Sequence, residues 1–123
     1  MSAASSESPL TVTRSEGAGC AILHVSGRVD HTNSASFLSA LEAEAALTAG
    51  KQGLVVDLSG LEFITSAGLR GLILANKTVT EAGSKLALSG LAGTVADVFR
   101  ISRFDTLFPI ADSVDAASAL VTG

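Results

Sequence analysis

The stretch LVVDLSGLEFITSAGLRGLIL, residues 54–74, constrains this chain more than any other part of it. Leu54, Val55 and Val56 form an aliphatic run without polar alternation, the pattern of a central strand covered on both faces. Asp57, Ser59 and Gly60 are predicted to end that strand. Thr65 and Ser66, hydroxyl residues of the kind that cap helices, then precede apolar positions Leu69, Leu72, Ile73 and Val79 at helical spacing. Strand, short loop and helix in that order place Ser66 at a helix N-terminus beyond the carboxyl end of a strand. Free backbone amides and the positive end of the helix dipole meet there, a position that concentrates function in α/β sheets. Ser66 is therefore the first candidate functional residue.

The flanking sequence supplies the elements such a unit needs. LTVTR at 10–14 alternates apolar and polar residues as a half-buried strand does, and EGAG at 16–19 offers a hairpin turn. In the second strand Ala21, Leu23 and Val25 share one face and Ile22, His24 and Ser26 the other, with Gly27 predicted as its end. A helix is expected from near Thr32 or Asn33, with a stripe of Phe37, Leu38, Leu41 and Ala45, closed by Ala49 and Gly50. Gly83 is expected to end the Ser66 helix before a strand over KLALS, 85–89, which implies a right-handed crossover and parallel pairing. A further helix carrying Val95, Val98, Phe99 and Ile101 leads to an edge strand over LFPI, marked by Pro109. A last helix over 113–120 is predicted to pack Val114, Ala117 and Leu120 on the sheet.

With 123 residues, 47% of them hydrophobic, the chain suffices for one α/β domain with a substantial core and is too short for two ordinary ones. Eight Lys and Arg against twelve Asp and Glu, with no basic cluster and no Trp or Tyr, argue against direct nucleic-acid binding. Cys20 is the single cysteine, has no intramolecular disulfide partner, and reads as a small buried hydrophobe in a chain suited to the cytoplasm. Asp57, Glu62, Arg70 and Lys77 interrupt the most apolar region, so no membrane insertion is expected. Residues 1–8 lack the features of a signal peptide and read as a disordered tail ahead of a domain spanning 9–121.

Several chemistries fail at the central stretch. ITSAG lacks the first glycine of a hydrolase nucleophile elbow, and both histidines, His24 and His31, precede Ser66. Neither GxxxxGK[ST] nor GxGxxG occurs, and Gly68 and Gly71 read as sites of close helix-to-sheet packing. Asp30, Asp57 and Glu62 lack companion His or Cys ligands, so no metal and no cofactor are expected. His31 reads as a solvated turn residue. What remains is Ser66 either as a simple cap or as the acceptor of a phosphate of about −1.5 to −2 charge, which a helix N-terminus tolerates. Arg70, one turn on, is placed to shield that phosphate or to touch a partner.

The stretch VVDLSGLEFITSAGLRGLI resembles the signature of the STAS domain, found in bacterial anti-sigma factor antagonists and in the cytoplasmic tails of sulfate transporters. VSGRVD at 25–30 is similar to that family's strand and turn before its first helix, and FRISRFDTLFPIADSVDAASAL to its C-terminal helix, edge strand and last helix. The resemblance implies an α/β STAS fold, with a mixed sheet of four or five strands packed with about four helices. It implies an anti-sigma factor antagonist, not an enzyme and without catalytic residues, that regulates sigma-dependent transcription by partner switching in the cytoplasm. Unphosphorylated, such an antagonist binds an anti-sigma factor serine kinase; phosphorylation at the position of Ser66 ends binding, and a metal-dependent serine phosphatase restores it. Asp30, Glu62, Thr65, Ser66, Ala67 and Arg70 would form the docking surface, with Asp30 near the acceptor. Thr65 stands where family antagonists often carry aspartate, and is a possible second acceptor. The chain would be a monomer or a weak homodimer. The alternatives are a STAS binding module of a lipid-transport or signalling complex without a phosphorylation cycle and, from another class, a small serine hydrolase.

Overall fold

The computed structural model describes residues 9–122; the predicted tail at 1–8 lies outside the described residues. The chain runs β1 (Thr11–Gly17), β2 (Cys20–Val29), α1 (Ser34–Thr48), β3 (Gly53–Ile64), α2 (Ser66–Glu81), β4 (Leu86–Ser89), α3 (Gly93–Ile101), a 3-10 turn (Phe104–Thr106), β5 (Ile110–Ala111) and α4 (Val114–Thr122). The five strands form one mixed sheet in the order β1-β2-β3-β4-β5. β1 and β2 are an antiparallel hairpin, and all later neighbours pair in parallel.

The aliphatic run at the start of β3 is explained by what covers it. Leu54 and Val56 enter the main core with Leu23, Val25, Phe37, Leu41, Leu72 and Phe99, which places α1, α2 and α3 on one face. Val55 points the other way and joins Cys20, Ile22, Ala87, Ala117 and Val121 under α4. A strand buried on both sides cannot alternate in polarity. Cys20 is fully buried, as its sequence context suggests.

Two predicted strand ends are instead places of close approach. β2 continues through Gly27 to Val29, with the register to β3 shifting between Gly27 and Arg28. Gly27 has φ +92°, and a Cβ there would lie 1.9 Å from the Pro9 carbonyl oxygen, so only glycine fits. β3 likewise passes through Asp57, Ser59 and Gly60 to Ile64, leaving β4 at the Asp57–Ser89 pair while staying paired with β2. A Cβ on Gly60 would meet Ser26 at 2.7 Å. In both strands glycine permits close contact with another segment of the chain where the sequence suggests a stop.

The helical readings hold at most positions and fail at those whose phase turns outward. Phe37, Leu41 and Ala45 are buried on α1, and Leu69, Leu72 and Val79 on α2. Ile101 is 78% exposed and Leu120 44% exposed, so α3 packs through Val95 and Phe99, and α4 through Ala117 and Val121. The edge strand starts only after Pro109, whose carbonyl accepts from the Leu88 amide at 2.9 Å and so needs no N–H of its own. Gly68 packs on the sheet, within reach of Ile64 and Val29. Gly71 instead faces Leu38 and Leu41 of α1, making it a helix-on-helix contact.

One ion pair ties β1 to α1. Arg14 Nε donates to the Glu44 carboxylate at 2.8 and 3.0 Å, and Arg14 also meets Glu16 at 2.7 Å. The Glu44 side chain is only 5% exposed, so it depends on this partner far more than Arg14 does. Arg14→Ala is expected to lower the thermal midpoint by stranding a buried carboxylate, and Arg14→Met with Glu44→Met to recover much of the loss. Thermal unfolding of the two variants beside the parent protein checks this.

Candidate functional site

The N-terminus of α2 is held by backbone and side-chain bonds that converge on Thr65. Its amide donates to the Val29 carbonyl at 3.0 Å, fastening the helix start to the end of β2. Its carbonyl accepts from the Leu69 amide at 3.0 Å, and its hydroxyl oxygen accepts from the Gly68 amide at 3.3 Å. Thr65 is thus the N-cap, with extended φ −86° and ψ 168°, and Ser66 is the first helical residue. This division of labour removes the reading of Ser66 as a simple cap. The capping role belongs to its neighbour, and the Ser66 hydroxyl is exposed and makes no hydrogen bond among the described residues.

Ser66, Ala67, Arg70, Ile73 and Phe104 line an open groove of about 410 Å³ between the first turns of α2 and the 3-10 turn. Three of the predicted site residues, Ser66, Ala67 and Arg70, therefore share one concave surface. Ile73 continues their stripe at helical spacing and could have been placed from the sequence; Phe104 comes from a distant segment and could not. Thr65 borders the groove as the cap. Glu62 is exposed on β3 but does not line the groove.

Asp30 directly follows Val29, the residue bonded to Thr65, so it lies beside the start of α2. Its carboxylate accepts from the Thr32 hydroxyl and from the Thr32 amide at 2.9 Å, bonds that hold its carboxyl below the ordinary range. Asn33 braces the same loop, accepting from the Asp30 amide at 2.9 Å and donating to the Arg28 carbonyl at 3.0 Å. Asp30 is thus a turn residue by its bonds and a neighbour of the site by its position. His31 is exposed in that turn.

Losing the Thr65 cap probes the helix start separately from Ser66. Thr65→Ala is expected to destabilise the fold by about 1 kcal/mol while Ser66 keeps its exposed hydroxyl; chemical denaturation measures the cost.

A second cluster escapes sequence reading. On the face opposite α2, His24 Nδ1 lies 2.8 Å from Asp57 Oδ2, and His24 Nε2 lies 2.8 Å from Ser15 Oγ. Strand register creates it, since His24 pairs directly with Asp57, and Ser15 sits diagonally across the hairpin. Burial pushes the Asp57 carboxyl up, but the bonds from His24 and from the Ser59 amide at 3.0 Å outweigh it and leave it below the ordinary range. Its contribution to stability is therefore complete above the ordinary carboxyl range and is lost as the pH falls through the depressed value. Among the described residues, no group of three or more His, Cys, Asp or Glu side chains could hold a metal ion, and no helix is long and apolar enough to cross a membrane.

The family model for the STAS domain matches residues 10–117, covering every strand and the first turn of α4. The chain belongs to the STAS domain family. Among its relatives, this STAS domain is 36% identical over 101 residues to BtrV of Bordetella bronchiseptica, named as a candidate anti-sigma factor antagonist, covering 82% of this chain and 85% of that one. The crystal structure of an anti-sigma factor antagonist from Mycobacterium paratuberculosis shares the fold with a TM-score of 0.82 at 24% identity, over 94% of this chain and 96% of that one. The Bacillus cell fate determinant SpoIIAA, solved in its phosphorylated form, superposes with a TM-score of 0.65 at 13% identity, over 89% and 99% of the two chains. The mixed five-stranded sheet and four helices agree with the architecture expected of a STAS domain.

Proposed function

We propose that this STAS domain is an anti-sigma factor antagonist whose binding to an anti-sigma factor serine kinase is switched off by phosphorylation of Ser66. The observation that carries the reading is the exposed Ser66 hydroxyl on the first turn of α2, free of capping duty and set in a groove with Ala67, Arg70, Ile73 and Phe104. In the unmodified state the groove and its border, Thr65 with Asp30 and Glu62 nearby, receive the kinase in the cytoplasm. A phosphate on Ser66 meets favourable amides and dipole on its own helix, so the fold survives, while the docked surface meets a bulky dianion. A metal-dependent serine phosphatase then returns the domain to its binding state. Two features of relatives support this: BtrV is named for antagonist function, and SpoIIAA has a phosphorylated form.

The test is intact-mass and peptide mapping of the protein from its native host, with and without phosphatase, followed by capture of partners on the parent chain and on Ser66→Ala. A phosphatase-sensitive phosphate on Ser66, and a Ser66→Ala protein that holds the kinase under conditions where the parent releases it, support the switch. Phosphate on Thr65 alone moves the acceptor by one residue. No phosphate across growth and stress conditions, with equal capture by both proteins, makes the domain a constitutive binding module of a lipid-transport or signalling complex.

A further inference from the structure

Ser15, His24 and Asp57 form a hydrogen-bonded line on the sheet face opposite Ser66. Face parity puts them together: Ile22 and Val55 pack under α4, and His24 and Asp57 stand two residues further along the same faces of β2 and β3. Ser15 is exposed on the edge strand β1, the His24 side chain is 38% exposed, and the Asp57 side chain is 14% exposed. A donor in solution can therefore reach the hydroxyl, whereas the carboxylate is sheltered.

The bonds impose direction on the imidazole. The Asp57 carboxylate accepts from the Ser59 amide through Oδ1 and faces His24 Nδ1 through Oδ2. An ionised carboxylate only accepts, so in the neutral imidazole Nδ1 carries the proton and Nε2 offers its lone pair to the Ser15 hydroxyl at 2.8 Å. Thr13, paired with His24 in the hairpin, contributes a neutral side chain to the same face, and Arg14 points the other way to Glu44. Nucleophile, base and orienting acid thus stand in their working order, each within hydrogen-bond reach of the next.

We infer that Ser15 is a primed nucleophile that accepts an acyl group from an activated acyl donor. Ser15 Oγ attacks the donor carbonyl carbon as its proton passes to His24 Nε2, and Asp57 stabilises the imidazolium that forms. The tetrahedral adduct collapses, the bond from carbon to the leaving oxygen breaks, and the leaving group departs as an anion or takes the proton back from His24. The products are an O-acylated Ser15 and the free leaving group, with no change of oxidation state. Ser15 is exposed on the edge strand, and among the described residues no set of fixed donors surrounds the oxyanion. Such donors are worth roughly 10²–10³ in rate, and their lack restricts the chemistry to donors with good leaving groups.

The experiment uses p-nitrophenyl acetate on the intact protein, following p-nitrophenolate release and locating the acetyl group by peptide mass. The expected result is one acetyl group on Ser15, formed about 10²-fold faster than on other exposed serines including Ser66, with a rate that falls at acid pH. His24→Gln should bring Ser15 to the background rate, and Asp57→Asn should slow it while circular dichroism verifies that each variant is folded. Should either variant fail to fold, the pH profile of the parent protein decides alone. Acetyl groups spread evenly over serines and lysines, an acetyl group that stays on His24, or a Ser15 rate independent of pH and unchanged in His24→Gln, overturns the inference. Repeating the reaction on Ser66→Ala keeps the result separate from the phosphorylation switch.

Discussion

Under the proposed switch, Ser66→Asp is expected to weaken binding to an anti-sigma factor kinase by about 100-fold, a loss of roughly 2–3 kcal/mol, while the domain itself becomes no less stable. The two effects diverge because one negative charge acts in two settings. On its own helix, aspartate at the first position of α2 faces the positive dipole end, which is worth about 0.3–1 kcal/mol in favour of the fold. Across a docked interface the same charge must be desolvated in a groove lined by Ala67, Ile73 and Phe104, with Arg70 as its nearest cation in sequence. Titration calorimetry against the purified kinase, paired with thermal unfolding of the free domain, reads the two effects independently. A parallel fall in binding and thermal midpoint shows that the substitution damaged the helix start instead of switching the surface. Unchanged binding shows that the partner sits elsewhere.

Phe37→Ala is expected to cost about 3–5 kcal/mol of folding stability, a large part of the roughly 5–15 kcal/mol that holds a domain together. Phe37 is fully buried on α1, in the cluster that joins α1, α2, α3 and the sheet. Truncation removes the ring from one of the largest fully buried positions, and the neighbours cannot close the space, because β3 is held on both sides by β2 and β4. Denaturant unfolding gives the loss directly. A cost below about 1 kcal/mol, the range of surface substitutions and small trims, would show that α1 is not part of the core as described. Phe37→Leu retains most of the volume and should cost markedly less.

Both expectations start from positions that were legible in the sequence, and the reason is periodicity. Phe37, Leu41 and Ala45 recur at helical spacing, and Leu54, Val55 and Val56 form a run that only a doubly covered strand explains. The hydroxyl pair before Leu69 announced a helix start, although which hydroxyl capped it was decided by the bond from Gly68 to Thr65. Glycine was the ambiguous signal. Gly27 and Gly60 read as strand ends, yet each lies within a strand where another segment passes too close for a Cβ. A local pattern cannot distinguish a stop from a close approach, since both favour the residue without a side chain.

What the sequence alone determined is the order of elements, the faces of α1, α2 and β3, and the place of Ser66 at a helix start, all properties of residues within a few positions of one another. Only the tertiary structure decided which residues from separate elements meet. Phe104 reaches the groove of Ser66 because the segment after α3 folds back to α2. Ser15, His24 and Asp57 align because the hairpin and the parallel β2–β3 ladder adopt one register, and a shift of a single residue would turn His24 to the other face. Register is set by the packing of the whole sheet between its two helical layers, and no short stretch of sequence contains that information.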